Sequence, residues 1–101
     1  MSEFTTVAKV NDIPVGEGQA FAVNGRMVAV FNEDGKFFAI DDFCPHMGAS
    51  LAGGYMEKGV VTCPWHEWRF DARTGVNTDD ATCKVATYPV KVEGGSVLVQ
   101  V

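Results

Sequence analysis

Apolar and polar positions alternate in short runs near both ends of the chain, and small turn-forming pairs separate the runs. The pairs Asn24-Gly25, Asp34-Gly35, Gly53-Gly54, Thr74-Gly75 and Gly94-Gly95 recur at short intervals. Residues of this kind supply the positive φ that a tight hairpin turn needs. Segments 19–23 and 26–32 flank the first pair, and 26–32 and 36–41 flank the second, which predicts a three-stranded meander. β-Branched and aromatic residues gather over 5–10, 59–63, 69–71, 85–88, 90–93 and 96–101, which read as further strands. No segment carries a sustained 3.6-residue apolar period. The expected fold class is therefore all-β, an antiparallel sandwich or barrel. Pro89 should mark a strand break or an edge, because proline donates nothing to a ladder.

Segment 42–71 interrupts this pattern. It holds both histidines, two of the three cysteines, both tryptophans and two of the four prolines. With 101 residues, one domain over 1–101 is expected. Its base would comprise about 1–41 and 72–101, and the strands on either side of the 42–71 insert would pair to carry it.

Composition narrows the class of function. The chain is 47% hydrophobic and 21% charged, as globular proteins are. Thirteen acidic against eight basic side chains give a net charge of −5, which disfavours nucleic acid as a partner and suits docking onto a basic protein surface. The start Met1-Ser2-Glu3-Phe4 has no basic flank followed by an apolar run, so neither export signal nor membrane anchor is expected, and the cytoplasm is the expected location. The free protein is expected to be a monomer.

An odd number of cysteines, two of them beside prolines and histidines, points to metal rather than to a disulfide framework. The pattern is Cys44-Pro45-His46, sixteen residues, then Cys63-Pro64-Trp65-His66. Each half offers one thiolate and one imidazole from a short loop at the end of an apolar run. A common zinc finger would instead place two cysteines in one half and two histidines in the other. Zinc in a stabilised binding module remains an alternative. An iron–sulfur centre of the kind with two cysteines on one iron and two histidines on the other is served by two mixed halves if each loop spans the cluster.

This motif resembles that of the Rieske [2Fe-2S] family, with soluble ferredoxins of ring-hydroxylating oxygenase systems and nitrite reductase small subunits as its nearest types. The resemblance covers nearly the whole chain, including the closing stretch from Cys83. It implies an all-β base with an inserted small cluster-binding β subdomain and one [2Fe-2S] cluster. Cys44 and Cys63 would hold the buried iron, and His46 and His66 the outer one. In respiratory and photosynthetic relatives, as the resemblance implies, each loop adds a cysteine and the two form a disulfide. Ala49 and Trp65 stand there instead, and Trp68 and Phe70 replace a serine and a tyrosine that hydrogen-bond the cluster. Fewer such bonds predict a midpoint toward the low end of the Rieske range of roughly −150 to +300 mV.

The inventory also bounds the chemistry. A mononuclear iron oxygenase needs two histidines and a carboxylate, but both histidines are already committed. Gly16-Glu17-Gly18 is the nearest approach to a dinucleotide fingerprint, and position 21 is Phe with no βαβ unit around it. The chain therefore reads as an electron-transfer component without an independent catalytic site. Its expected partners are a flavin-dependent reductase and a terminal oxygenase or, as the alternative, the large subunit of an assimilatory NAD(P)H nitrite reductase. Members of the nitrite reductase family can lack the cluster ligands, whereas all four stand here, which favours the ferredoxin.

Other residues of the insert read more blandly. Cys83 suits a small buried apolar filler, and Pro45 and Pro64 would stiffen the ligand loops. Trp65, Met47 and Phe43 would either shield the cluster or simply pack. At least one of Trp68 and Phe70 should be core. Glu67 reads as a solvated charge, and Gly48, Gly53 and Gly54 would shape the ligand loop and its exit.

Overall fold

The computed structural model describes residues 4–43, 50–63, 69–79 and 82–101. Ten strands follow in chain order: β1 Phe4–Lys9, β2 Gly18–Val23, β3 Arg26–Glu33, β4 Lys36–Asp41, β5 Tyr55–Glu57, β6 Val60–Thr62, β7 Arg69–Asp71, β8 Thr87–Tyr88, β9 Val90–Glu93 and β10 Ser96–Gln100. Two 3₁₀ turns, Val10–Asp12 and Leu51–Gly53, accompany them, and no α-helix occurs among the described residues. All pairings are antiparallel. Three sheets result, ordered β1-β10-β9, β2-β3-β4-β8 and β5-β6-β7.

The meander forms as the turn chemistry requires. Asn24-Gly25 and Asp34-Gly35 both take positive φ, at 49° and 82° and at 49° and 90°, which suits the twist of the strands they join. β4 closes the base by pairing with β8, Ala39 opposite Tyr88 and Ile40 opposite Thr87. Pro89 falls in the break between β8 and β9, and its carbonyl still accepts the Gln100 N–H at 3.0 Å.

β3 is the spine of the molecule. Its residues 28–32 are buried without interruption, which is possible only if both sheet faces are covered. Val28 and Val30 face a cluster with Ile13, Val23, Val97 and Val99. Ala29 and Phe31, one residue out of phase, face a second cluster with Leu51, Met56, Val61, Cys63 and Phe70. The first cluster joins the β1-β10-β9 sheet to one face of the β2-β3-β4-β8 sheet, and the second seats the β5-β6-β7 sheet on its other face.

Several boundaries differ from the expected ones for visible reasons. β1 ends at Lys9 because Val10 enters a 3₁₀ turn in which the Asp12 carboxylate accepts the Lys9 N–H at 3.0 Å. β8 is shorter than 85–88, since the Val85 and Ala86 N–H groups are taken by the Gly75 carbonyl and the Asp41 carboxylate. β5 was not expected at all. Its hairpin to β6 turns on Lys58-Gly59, with φ of 53° and 78°, and lysine carries little signal for a left-handed conformation.

Candidate metal centre

Two loops of equal length carry the four predicted ligands. The first, 44–49, is closed at its base by an antiparallel bridge between Phe43 and Ser50. The second, 63–68, is closed by the pairing of Thr62 with Arg69 at the ends of β6 and β7. Each cysteine is thus the first residue beyond a paired position, where the chain leaves its last ladder contact.

Backbone and side-chain bonds hold the first base shut. The Asp42 N–H donates to the Met27 carbonyl at 3.1 Å, and the Asp42 carbonyl accepts the Leu51 N–H at 2.5 Å. The Asp42 side chain is 3% exposed. Its two oxygens accept the Ser50 hydroxyl at 2.8 and 2.9 Å, and Oδ1 also accepts the Ala52 N–H at 3.0 Å. The sequence pattern does not single out Asp42 or Ser50, because their contact spans the whole loop and depends on its closure.

The 3₁₀ turn Leu51–Gly53 then carries the chain from one loop base to the other. Leu51 is fully buried in the same cluster as Cys63. Gly54 leaves the turn against β6, where an added Cβ would collide with the Thr62 carbonyl oxygen. A glycine is required here by close backbone approach rather than by a positive φ. Its N–H donates to the Leu51 carbonyl at 3.0 Å.

Of the four predicted ligands, the structure describes Cys63; Cys44, His46 and His66 lie outside the described residues. Cys63 is 1% exposed, among Leu51, Met56, Phe70 and Val85. A charged thiolate in such apolar surroundings would be costly, whereas bonding to iron would neutralise its charge. The donor set of two thiols and two imidazoles fits a [2Fe-2S] cluster with two thiolates on one iron and two imidazoles on the other.

The other residues of the insert can be placed in part. Phe70 is wholly buried, as expected for at least one of Trp68 and Phe70. Cys83 packs against the same cluster but is only half-buried, so it fills its edge rather than its interior. Phe43, for which shielding and packing were both open, is 56% exposed beside the first loop. Pro45, Met47, Gly48, Ala49, Pro64, Trp65, Glu67 and Trp68 lie outside the described residues.

At the end of β4, Asp41 ties the segment around Ala86 and Tyr88 to the sheet. Its carboxylate accepts the Tyr88 hydroxyl at 2.5 Å and the Ala86 N–H at 3.1 Å. Burial and the neighbouring Asp41 hold the Tyr88 hydroxyl above its ordinary pKa of 10.0, against a smaller opposing effect of Arg26. The consecutive residues Asp41 and Asp42 thus anchor two different segments at the end of β4. No helix among the described residues is long and apolar enough to cross a membrane.

Comparison with known proteins agrees with this arrangement. The biphenyl dioxygenase ferredoxin subunit of Pseudomonas sp. (strain KKS102) is 40% identical over 98 residues, covering 95% of this chain and 90% of its own. A chain from the complex of reduced oxygenase and oxidized ferredoxin in carbazole 1,9a-dioxygenase superposes with a TM-score of 0.84 at 28% identity, over 96% of this chain and 92% of its own. A Mycobacterium tuberculosis protein described as an NADH-dependent nitrite reductase small subunit gives 0.93 at 26% identity, over 100% and 96%. Residues 3–89 match the family model of the Rieske [2Fe-2S] domain. Nearly the whole chain is accounted for by that one match, and it belongs to the Rieske [2Fe-2S] domain family.

Proposed function

We propose that this protein is a cytoplasmic one-electron carrier that holds one Rieske-type cluster through Cys44, His46, Cys63 and His66. It takes electrons from a flavin-dependent reductase and passes them to a terminal oxygenase. The observation that carries this reading is the burial of Cys63 in an apolar cluster just beyond the paired end of β6, in a chain 40% identical to a dioxygenase ferredoxin subunit. The cluster, when bound, supplies a site that gains and loses a single electron.

The chain's own residues supply the rest. Segment 42–71 acts as the cluster-binding unit on the base of 1–41 and 72–101. Cys44 and Cys63 would hold one iron, and the apolar cluster of Leu51, Met56 and Phe70 would keep water from the Cys63 thiolate. His46 and His66 would hold the other iron, and their free ring nitrogens would be able to take up or release protons. Phe43, exposed beside the first loop, offers an apolar contact to a docked partner. The net charge of −5 favours a basic docking surface.

The tests are direct. The purified protein should be red-brown, contain two irons and two acid-labile sulfides, and give a rhombic electron paramagnetic resonance signal on reduction. Its midpoint should lie below about +150 mV, in the lower part of the family's range. A colourless, zinc-loaded protein from iron-replete cells would refute the proposal. The TM-score of 0.93 against the nitrite reductase small subunit favours a second reading, in which the acceptor is a nitrite reductase large subunit. Reconstitution separates them: NADH-driven product formation with a reductase and an oxygenase supports the first, and dependence of nitrite reduction on this chain supports the second.

A further inference from the structure

Asp42 presents a physical puzzle. It is 3% exposed, and two donors meet its carboxylate: the Ser50 hydroxyl, which straddles both oxygens, and the Ala52 N–H. Among the described residues no cation pairs with it; the two ion pairs are Arg73 with Asp71 and Lys91 with Glu93. A buried carboxylate with two donors and no counter-charge is costly to desolvate. Asparagine has nearly the same shape, and its oxygen could accept from both donors. Closing the loop therefore requires an acceptor at this position but not a negative charge.

The geometry points to a double role for Asp42 as a positioning residue: its side chain ties together the two ends of loop 44–49, and its charge lowers the reduction potential of the centre that the loop helps to hold. The inference rests on the cluster reading given above. Ser50 and Ala52 follow the loop, Asp42 precedes it, and Cys44 stands two residues further on. A negative charge on buried Asp42, two residues from Cys44, would disfavour the arrival of an electron at a centre held by that cysteine. This adds to the missing Ser and Tyr donors as a cause of low potential.

The test compares the holoprotein with D42N, S50A and D42A. D42N should keep the cluster, with a midpoint above that of the wild type. S50A and D42A should lose iron to a chelator faster, D42A by roughly 10- to 100-fold, as expected for loss of hydrogen bonds to a charged group. The Ala52 amide should exchange faster with solvent in S50A and D42A, whether or not iron is bound. A D42N midpoint equal to or below the wild type refutes the electrostatic role. Unchanged Ala52 exchange in S50A refutes the positioning role, even if D42A fails to fold. A wild-type protein without iron and sulfide would instead refute the cluster reading, leaving the amide measurement to decide the positioning role.

Discussion

Truncating Leu51 to alanine tests how the two ligand loops are held together. Leu51 is fully buried, lies in the first turn beyond loop 44–49, and shares its cluster with Cys63 and Phe70. Deleting a buried leucine side chain removes transfer free energy and leaves a cavity, together about 3 kcal/mol. Little collapse is expected, because Gly54 is already in close contact with β6 and Asp42 fixes the other end of the turn. Against a total stability of roughly 5–15 kcal/mol for a domain, that is a large fraction. With a urea m value of roughly 1–3 kcal/mol/M, the midpoint should fall by about 1–3 M. The assay is urea unfolding followed by far-UV circular dichroism, with cluster absorbance recorded in parallel. Val92→Ala is the control, since Val92 is 49% exposed on β9 and its truncation should cost under about 1 kcal/mol. If Leu51→Ala shifts the midpoint no more than Val92→Ala does, packing of the turn does not hold the loop bases together.

Three further substitutions probe separate parts of the structure. Gly54→Ala places a methyl group against the Thr62 carbonyl, which neither backbone can yield cheaply, so it should destabilise by about 1–3 kcal/mol and speed cluster loss; urea unfolding with absorbance reads both. Phe43→Ala removes an exposed ring and should change stability by less than about 0.5 kcal/mol while slowing electron transfer to the partner in stopped-flow measurements. Tyr88 has its pKa raised in the fold, so its contribution is complete below the unfolded value near 10 and is lost as pH rises through the folded value. Above that pH the phenolate can no longer donate to Asp41 and repels it. Tyr88→Phe should therefore flatten the alkaline fall in stability, and a wild-type slope retained in the variant would contradict this.

The chain displays its turns and its donors more openly than its contacts. β4, β7 and β9 run as the alternation and turn pairs predict, because Asp34-Gly35 and Gly94-Gly95 act through local backbone conformation. β5 escapes prediction because Lys58 adopts a conformation its side chain does not advertise. The candidate ligands are legible because their chemistry resides in residue identity and spacing. Asp42 and Ser50 are not, since a hydrogen bond across a loop exists only after the loop has closed. Strand 26–32 is legible from its turn pairs, but the uninterrupted burial of 28–32, with Asn32 among the buried residues, depends on what covers each face and is a tertiary fact.

Fold likeness and sequence likeness favour different relatives, and the difference can be weighed physically. The nitrite reductase small subunit superposes with a TM-score of 0.93, against 0.84 for the chain from the carbazole dioxygenase complex, although the two are only 26% and 28% identical to this chain. The biphenyl dioxygenase ferredoxin subunit shares 40%. Backbone agreement follows from packing and from the three-sheet frame, both of which many functions tolerate. An electron carrier depends on a smaller set: four donors, an apolar floor under the thiolates, and a rigid base beneath each loop. This chain contains the two cysteines and two histidines in mixed halves, with Cys63 over an apolar floor. It also closes each loop at its base, through Phe43 with Ser50 and Thr62 with Arg69. A subunit with only a structural role would need the frame and not the donors. Retention of all four therefore favours electron transfer, and the closer backbone match adds little against it.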